Sequence, residues 1–148
     1  MTSGNSRVLY RKAISADLEA IKSLADQHKN ELGFVVRAAF AKSIDASEII
    51  LALDENGAVL GFVHYHHRKD GQTTLYSIVV DEVHRRRGIG KRLVAELGEE
   101  ARRKGQSFIF LKCPTELAAN SFYRAGGFDL RSTVEGKHRA LHEWILEL

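Results

Sequence analysis

Arg85-Arg86-Arg87-Gly88-Ile89-Gly90 stands between an apolar run, Ile78-Val79-Val80, and a long amphipathic stretch. Two glycines at the mouth of a helix, with arginines ahead of them, describe a backbone loop open to an anion. Free N–H groups at a helix start point toward such a ligand, and the helix dipole adds to the attraction. The competing reading is a glycine turn that leads into a solvated basic helix. For the glycines alone the two readings balance, and the position after a buried strand favours the anion site.

Outward from the loop, the period after Gly88 is helical as far as Lys104. Ile89, Leu93, Leu97 and Ala101 form one buried stripe, and Glu99 with Arg103 and Glu100 with Lys104 are expected as exposed i,i+4 pairs. Gly105 is a helix stop. Phe108–Leu111 is apolar on both faces, as an interior parallel strand is. Thr115–Ala125 reads as a short helix ended by Gly126-Gly127, and Phe128–Val134 with Leu141–Leu148 as a closing antiparallel pair around Gly136.

Ahead of the loop, Thr73–Val80 is rich in β-branched residues and ends a three-strand meander. Its other members are Ile49–Leu53 and Val59–His67, joined by the Asp54-Glu55-Asn56-Gly57 turn. Arg7–Ala13 is a first strand. Ser15 is the expected cap of a helix carrying Leu18, Ile21, Leu24 and Ala25, with His28–Gly33 as a loop and Phe34–Ile44 as a second helix. The order is mixed α/β with a strand–helix–strand crossover at its centre.

The 148 residues suit one domain, residues 7–148, behind a small polar tail, Met1–Ser6, expected to be disordered. That tail lacks the apolar core of a signal peptide. The formal charge of +3 fits an anionic ligand without indicating nucleic acid. A single cysteine, Cys113, excludes an intrachain disulfide and suggests a reducing cytoplasm. No apolar run approaches the ~20 residues of a membrane span, so no membrane partner is expected.

The spacing of the loop is neither a Walker-type phosphate loop nor a dinucleotide fingerprint. Arg85-Arg86-Arg87-Gly88-Ile89-Gly90 resembles instead the Arg/Gln-x-x-Gly-x-Gly/Ala signature of the GCN5-related N-acetyltransferases, the GNAT superfamily. Ala118-Ala119-Asn120-Ser121-Phe122-Tyr123, followed by Gly127-Phe128, is similar to that family's second signature, and the element order resembles the family over nearly the whole chain. The resemblance implies a single-domain GNAT-like acyl-CoA N-acyltransferase fold: a mixed, mainly antiparallel sheet with a central parallel strand pair flanked by helices.

It also implies an acetyl-CoA site and no metal. Backbone amides of Arg85, Arg86, Arg87, Gly88, Ile89 and Gly90 would bind the CoA pyrophosphate, helped by Lys91 and Arg92. The strand residues Ile78, Val79 and Val80 would lie along the pantetheine, bonded through the main chain of Ile78 and Val80. Family members splay this strand from the next parallel one, here Phe108–Leu111, to admit the thioester. Arg86 departs from the pattern, since many relatives carry a small glycine there; Glu82 replaces a common proline.

Asn120 and Tyr123 share a helix face. A tyrosine hydroxyl near a thioester sulfur can protonate the departing thiolate as general acid, and an asparagine one turn earlier can hold the pantetheine. Taken without the motif, Tyr123 would simply pack with Phe122 and Phe128. Cys113 reads as an inert, packed thiol. The reaction is then direct attack of an amine on the acetyl carbonyl.

A base is not legible, because Thr73–Val80 carries no acid or histidine. His64 and His66 share one strand face; they read as surface histidines near the acceptor, with a proton relay or a two-histidine zinc site as sharper alternatives. Phe34, His64 and His66 are assigned to the acceptor side. The acceptor itself, a small-molecule or protein amine, is not named by the sequence, and a homodimer stays open. Two other functions compete: a non-catalytic acetyl-CoA-binding regulatory domain and, ranked last, a basic nucleic-acid-binding module, for which no aromatic interleaving is present.

Overall fold

The structure, a computed structural model, describes residues 7–32 and 34–148. The expected tail, Met1–Ser6, lies outside the described residues. The chain divides into two compact units: residues up to Tyr65 with Ser77–Leu97, and His66–Tyr76 with Gly98–Leu148.

In the first unit, β1 (Leu9–Lys12) pairs antiparallel with β2 (Ile49–Leu53), Leu9 opposite Leu53. Strand β2 pairs antiparallel in turn with β3 (Val59–His67), with a register shift at Ala52/Leu53. All five residues of β2 are buried, which is why it reads as a plain apolar run without alternation. The connecting turn is held by Asp54, whose Oδ1 accepts from the Asn56 and Ala58 amides at 2.8 Å each.

The first helix differs in its start. Ser15 does not cap it; Ser15–Asp17 is a 3₁₀ turn, and the Asp17 carboxylate reaches back to the Ile14 amide at 2.8 Å. Arg11 grips the same carboxylate at 2.8 and 3.2 Å, which holds the Asp17 carboxyl below its ordinary range. Helix α1 (Leu18–Gln27) follows. A short helix, α2 (Lys29–Leu32), occupies the expected loop, and α3 runs over Arg37–Asp45. Phe34-Val35-Val36 is not helical, as three bulky residues without a cap allow. Ile21, Leu24 and Ala25 of α1 and Phe40 and Ile44 of α3 join Ile49, Leu51, Leu53, Phe62 and Val79 in one apolar cluster.

In the second unit, the start of β4 (Gln72–Val80) pairs parallel with β5 (Phe108–Pro114), over Gln72–Thr74 and Phe108–Phe110. Among the described residues the ladder covers these three residues of each strand. β5 pairs antiparallel along its whole length with β7 (Ala140–Glu147), which pairs with β6 (Asp129–Glu135). Hydrogen-bonded neighbours run β1-β2-β3-β4-β5-β7-β6, mixed and mainly antiparallel.

The crossover helix, α4 (Ile89–Arg103), buries Ile89, Leu93, Leu97 and Ala101, the expected stripe. Glu100 is a correction. It is buried, its carboxylate held by Arg103 at 3.2 Å and lying 3.5 Å from the His67 ring, so it is no exposed partner of Lys104. Among the described residues no helix is long and apolar enough to cross a membrane.

Gly61 marks the tightest backbone approach in the first unit. A Cβ there would stand 2.5 Å from the Val79 carbonyl oxygen and 3.2 Å from Val80 Cα, and neither backbone atom can swing aside. Gly61→Ala is therefore expected to lose about 2 kcal/mol in urea unfolding. An unchanged midpoint would contradict this packing.

Candidate functional site

The loop that follows β4 is built by local bonds. Asp81 opens a 3₁₀ turn, Glu82–His84, in which His84 and Arg85 donate to the carbonyls of Asp81 and Glu82 at 2.9 and 3.3 Å. Arg86 (φ +67°) and Gly88 (φ +78°) are both left-handed. A Cβ at Gly88 would meet nothing within 4 Å, so the constraint there is backbone conformation, with open space beside it. The first bond of α4 runs from the Arg92 amide to the Gly88 carbonyl at 3.0 Å. The amides of Ile89, Gly90 and Lys91 precede it and have no helix carbonyl to donate to.

The arginines are partly committed to shaping this loop. Arg85 Nε donates to the Val80 carbonyl at 3.2 Å, and an Arg87 N–H lies 2.9 Å from His84 Nδ1. Arg92 pairs with Glu96 at 2.8 Å and sits 5.0 Å from the Tyr10 ring centroid. Arg86 and Lys91 are exposed. Of the preceding strand, Val79 is buried in the core, whereas Ile78 and Val80 are half-buried. This stretch offers amide donors, positive charge and a helix dipole, the composition an anionic phosphate group requires.

The second unit holds the other expected residues on α5 (Ala119–Ala125), shorter than expected because Thr115–Ala118 is a turn. Tyr123 is buried, its ring edge-on to Phe122 and Phe128 at 5.5 and 5.6 Å. Burial, with Cys113 nearby, pushes its hydroxyl well above the ordinary phenol range. Among the described residues that hydroxyl has no hydrogen bond. Burial likewise pushes the Cys113 thiol up to about 11, and its Sγ rests 3.6 Å from the Pro114 carbonyl.

Asn120 has a different occupation from the expected one. Its Nδ2 donates to the carbonyls of Pro114, Thr115 and Leu117 at 2.9, 3.3 and 2.9 Å, and its Oδ1 accepts from the Trp144 indole at 2.8 Å. Both ends of the amide are turned on the protein. Sequence reasoning passed over Trp144; its signal was a lone tryptophan in the closing apolar strand.

The residues assigned to the acceptor side divide. Phe34 is exposed, with Lys22 Nζ 4.0 Å from its ring centroid. His66 is exposed. His64 is not the surface histidine expected: it is buried, its Nε2 lies 2.8 Å from Ser43 Oγ, and the Phe40 ring is 5.3 Å away. Burial lowers its pKa to about 4, so it is neutral at pH 7. Among the described residues, no three His, Cys, Asp or Glu side chains gather where a metal ion could be held.

Comparison with known proteins agrees with this layout. The family model described as the acetyltransferase (GNAT) family matches residues 16–128, which include both the glycine loop and α5. The chain belongs to that family. No curated protein matches it. Among solved structures, Ard1 from Thermoplasma volcanium is 18% identical, with a TM-score of 0.85 over 95% of this chain and 97% of its own. yncA from Salmonella typhimurium, solved with its cofactor acetyl-CoA, is 22% identical, with a TM-score of 0.80 over 97% and 95%. The ribosomal-protein-alanine N-acetyltransferase from Brucella melitensis is 26% identical, with a TM-score of 0.80 over 95% and 99%. Family membership makes this protein an acetyl-CoA-dependent N-acetyltransferase.

Two outcomes follow from local chemistry. Arg86 adopts a left-handed backbone that costs a side-chain-bearing residue about 1 kcal/mol. Arg86→Gly is thus expected to raise stability by about that amount in urea unfolding, and a loss would contradict it. His64 has a folded-state pKa below its ordinary value of 6.5, so the unfolded chain takes up the proton first as pH falls. Its contribution is full above about pH 6.5 and is lost toward pH 4, up to about 3 kcal/mol. Stability measured between pH 7 and pH 4.5 should fall less steeply in His64→Gln. Equal slopes would refute the assignment.

Proposed function

We propose that the protein transfers the acetyl group of acetyl-CoA directly to an amine of a small molecule, peptide or protein, with Tyr123 as the general acid. The observation that carries this reading is Tyr123 itself: its ring is packed against Phe122 and Phe128, and its hydroxyl, which burial of the residue keeps protonated, has no hydrogen-bond partner among the described residues. Burial keeps the proton on Tyr123 Oη before reaction, so it is present to be donated when negative charge develops on a departing sulfur.

The glycine loop fits the anionic end of the donor. Amides of Arg86 and of Gly88 to Lys91 would hold the pyrophosphate, with the exposed Arg86 and Lys91 adding charge. The backbone of Ile78 and Val80 would line the pantetheine, and Val79 anchors that strand in the core. Bound acetyl-CoA supplies an activated acyl group. A covalent detour through Cys113 is disfavoured, since a thiol pushed up to about 11 is scarcely ionised at pH 7. His64, engaged with Ser43 in the core, is a poor candidate for the base, and a water chain ending in backbone carbonyls is the proposed acceptor of the ammonium proton. Phe34 and His66, both exposed, remain the proposed acceptor contacts. We place the reaction in the cytoplasm, in keeping with the single, buried, free thiol.

Acetyl-CoA should raise the melting temperature, because it binds only the folded chain. No shift at millimolar acetyl-CoA would overturn the reading. Tyr123→Phe should lower kcat by about 10²-fold while leaving acetyl-CoA affinity within about twofold. Undiminished turnover would remove the general-acid role.

A further inference from the structure

Helix α5 has seven residues, and its N-cap, Ala118, makes no side-chain capping bond. A helix this short is not stable in isolation, and nothing in its own sequence fixes where its side chains lie. Yet it carries Tyr123, whose use as a proton donor requires placement to within a fraction of an ångström.

Two of its residues touch Trp144. Asn120 Oδ1 accepts from the Trp144 indole N–H at 2.8 Å, and the Arg124 guanidinium lies 5.2 Å from the indole ring centroid. Asn120 and Arg124 are one turn apart and flank Tyr123 in sequence, so α5 meets one tryptophan at its ring N–H and at its ring. Trp144 is itself fully buried in β7, opposite Leu111 of β5. The Asn120 amide completes the tie, because its Nδ2 bonds fasten the turn between β5 and α5.

We infer that Asn120, Arg124 and Trp144 form a clamp that positions the Tyr123 hydroxyl for acetyl transfer. The inference rests on the general-acid reading of Tyr123. Asn120 thereby acts through the protein, as a positioning residue that orients α5 on the β5–β7 ladder.

The test is a double-mutant cycle in the full-length enzyme. Trp144→Phe keeps an aromatic ring and deletes the indole N–H. It is expected to lower kcat about tenfold with KM for acetyl-CoA within about twofold. In a Tyr123→Phe background the same change should lower kcat no further, because there is no longer a hydroxyl to place. Additive losses would overturn the clamp and leave the general acid standing. An undiminished kcat in Tyr123→Phe alone would overturn both.

Trp144 is the only tryptophan, so its indole N–H gives a single resonance that reads the clamp without turnover. Asn120→Ser should move that resonance upfield and speed its exchange with solvent; an unmoved resonance would overturn the proposal. Should Trp144→Phe fail to fold, Arg124→Met, at an exposed position, decides by the same cycle: non-additivity with Tyr123→Phe supports the clamp and additivity overturns it.

Discussion

The left-handed backbone at Gly88 is the constraint on which the loop depends. It turns the chain from an arginine-rich turn into α4 within one residue, and it does so beside open space. Because α4 begins immediately afterwards, three amides emerge with no acceptor in the helix, at the positive end of its dipole. The same geometry requires a second left-handed residue two positions earlier. There the chain carries Arg86, trading conformational ease for a fixed positive charge. The arginines on either side are bonded to Val80 and His84, so they help to hold the loop in shape.

The second unit shows a contrast in how two polar groups of one short helix are satisfied. The Asn120 amide is committed at both ends, donating to three carbonyls and accepting from an indole. Tyr123, three residues on, has an apolar surround and no hydrogen bond among the described residues. A saturated group makes a rigid frame, whereas an unsatisfied one retains an interaction to give. On the proposed reading the two neighbours take opposite parts, Asn120 as frame and Tyr123 as proton donor.

Much of the architecture was legible because periodicity reports burial directly. The stripe from Ile89 to Ala101, the run Ile49–Leu53 and the Asp54–Gly57 turn each have one dominant physical cause. The failures share another cause, polar residues whose partners are distant in sequence. Ser15 looked like a cap until Arg11 and Asp17 took that end of the chain. Glu100 fits an exposed pair by spacing alone, yet it is buried, with the ring of His67, thirty-three positions earlier, 3.5 Å away. His64 and His66 differ by two residues and should share a face, but Ser43 and Phe40 pack over only the first. At the site, the loop glycines were readable since conformation is a local property. The engagement of Asn120 with Trp144 was not, since twenty-four residues separate them.

The proposed hold of the helix-start amides on the pyrophosphate of the donor is open to direct measurement. Calorimetric titration with acetyl-CoA and with acetyl-pantetheine, which lacks the pyrophosphate and nucleotide, measures this directly. The truncated donor is expected to bind at least ~100-fold more weakly, as losing two or more charge-assisted hydrogen bonds requires. Inorganic pyrophosphate is expected to compete with acetyl-CoA. Equal affinity for the two donors, with no competition from pyrophosphate, would contradict it.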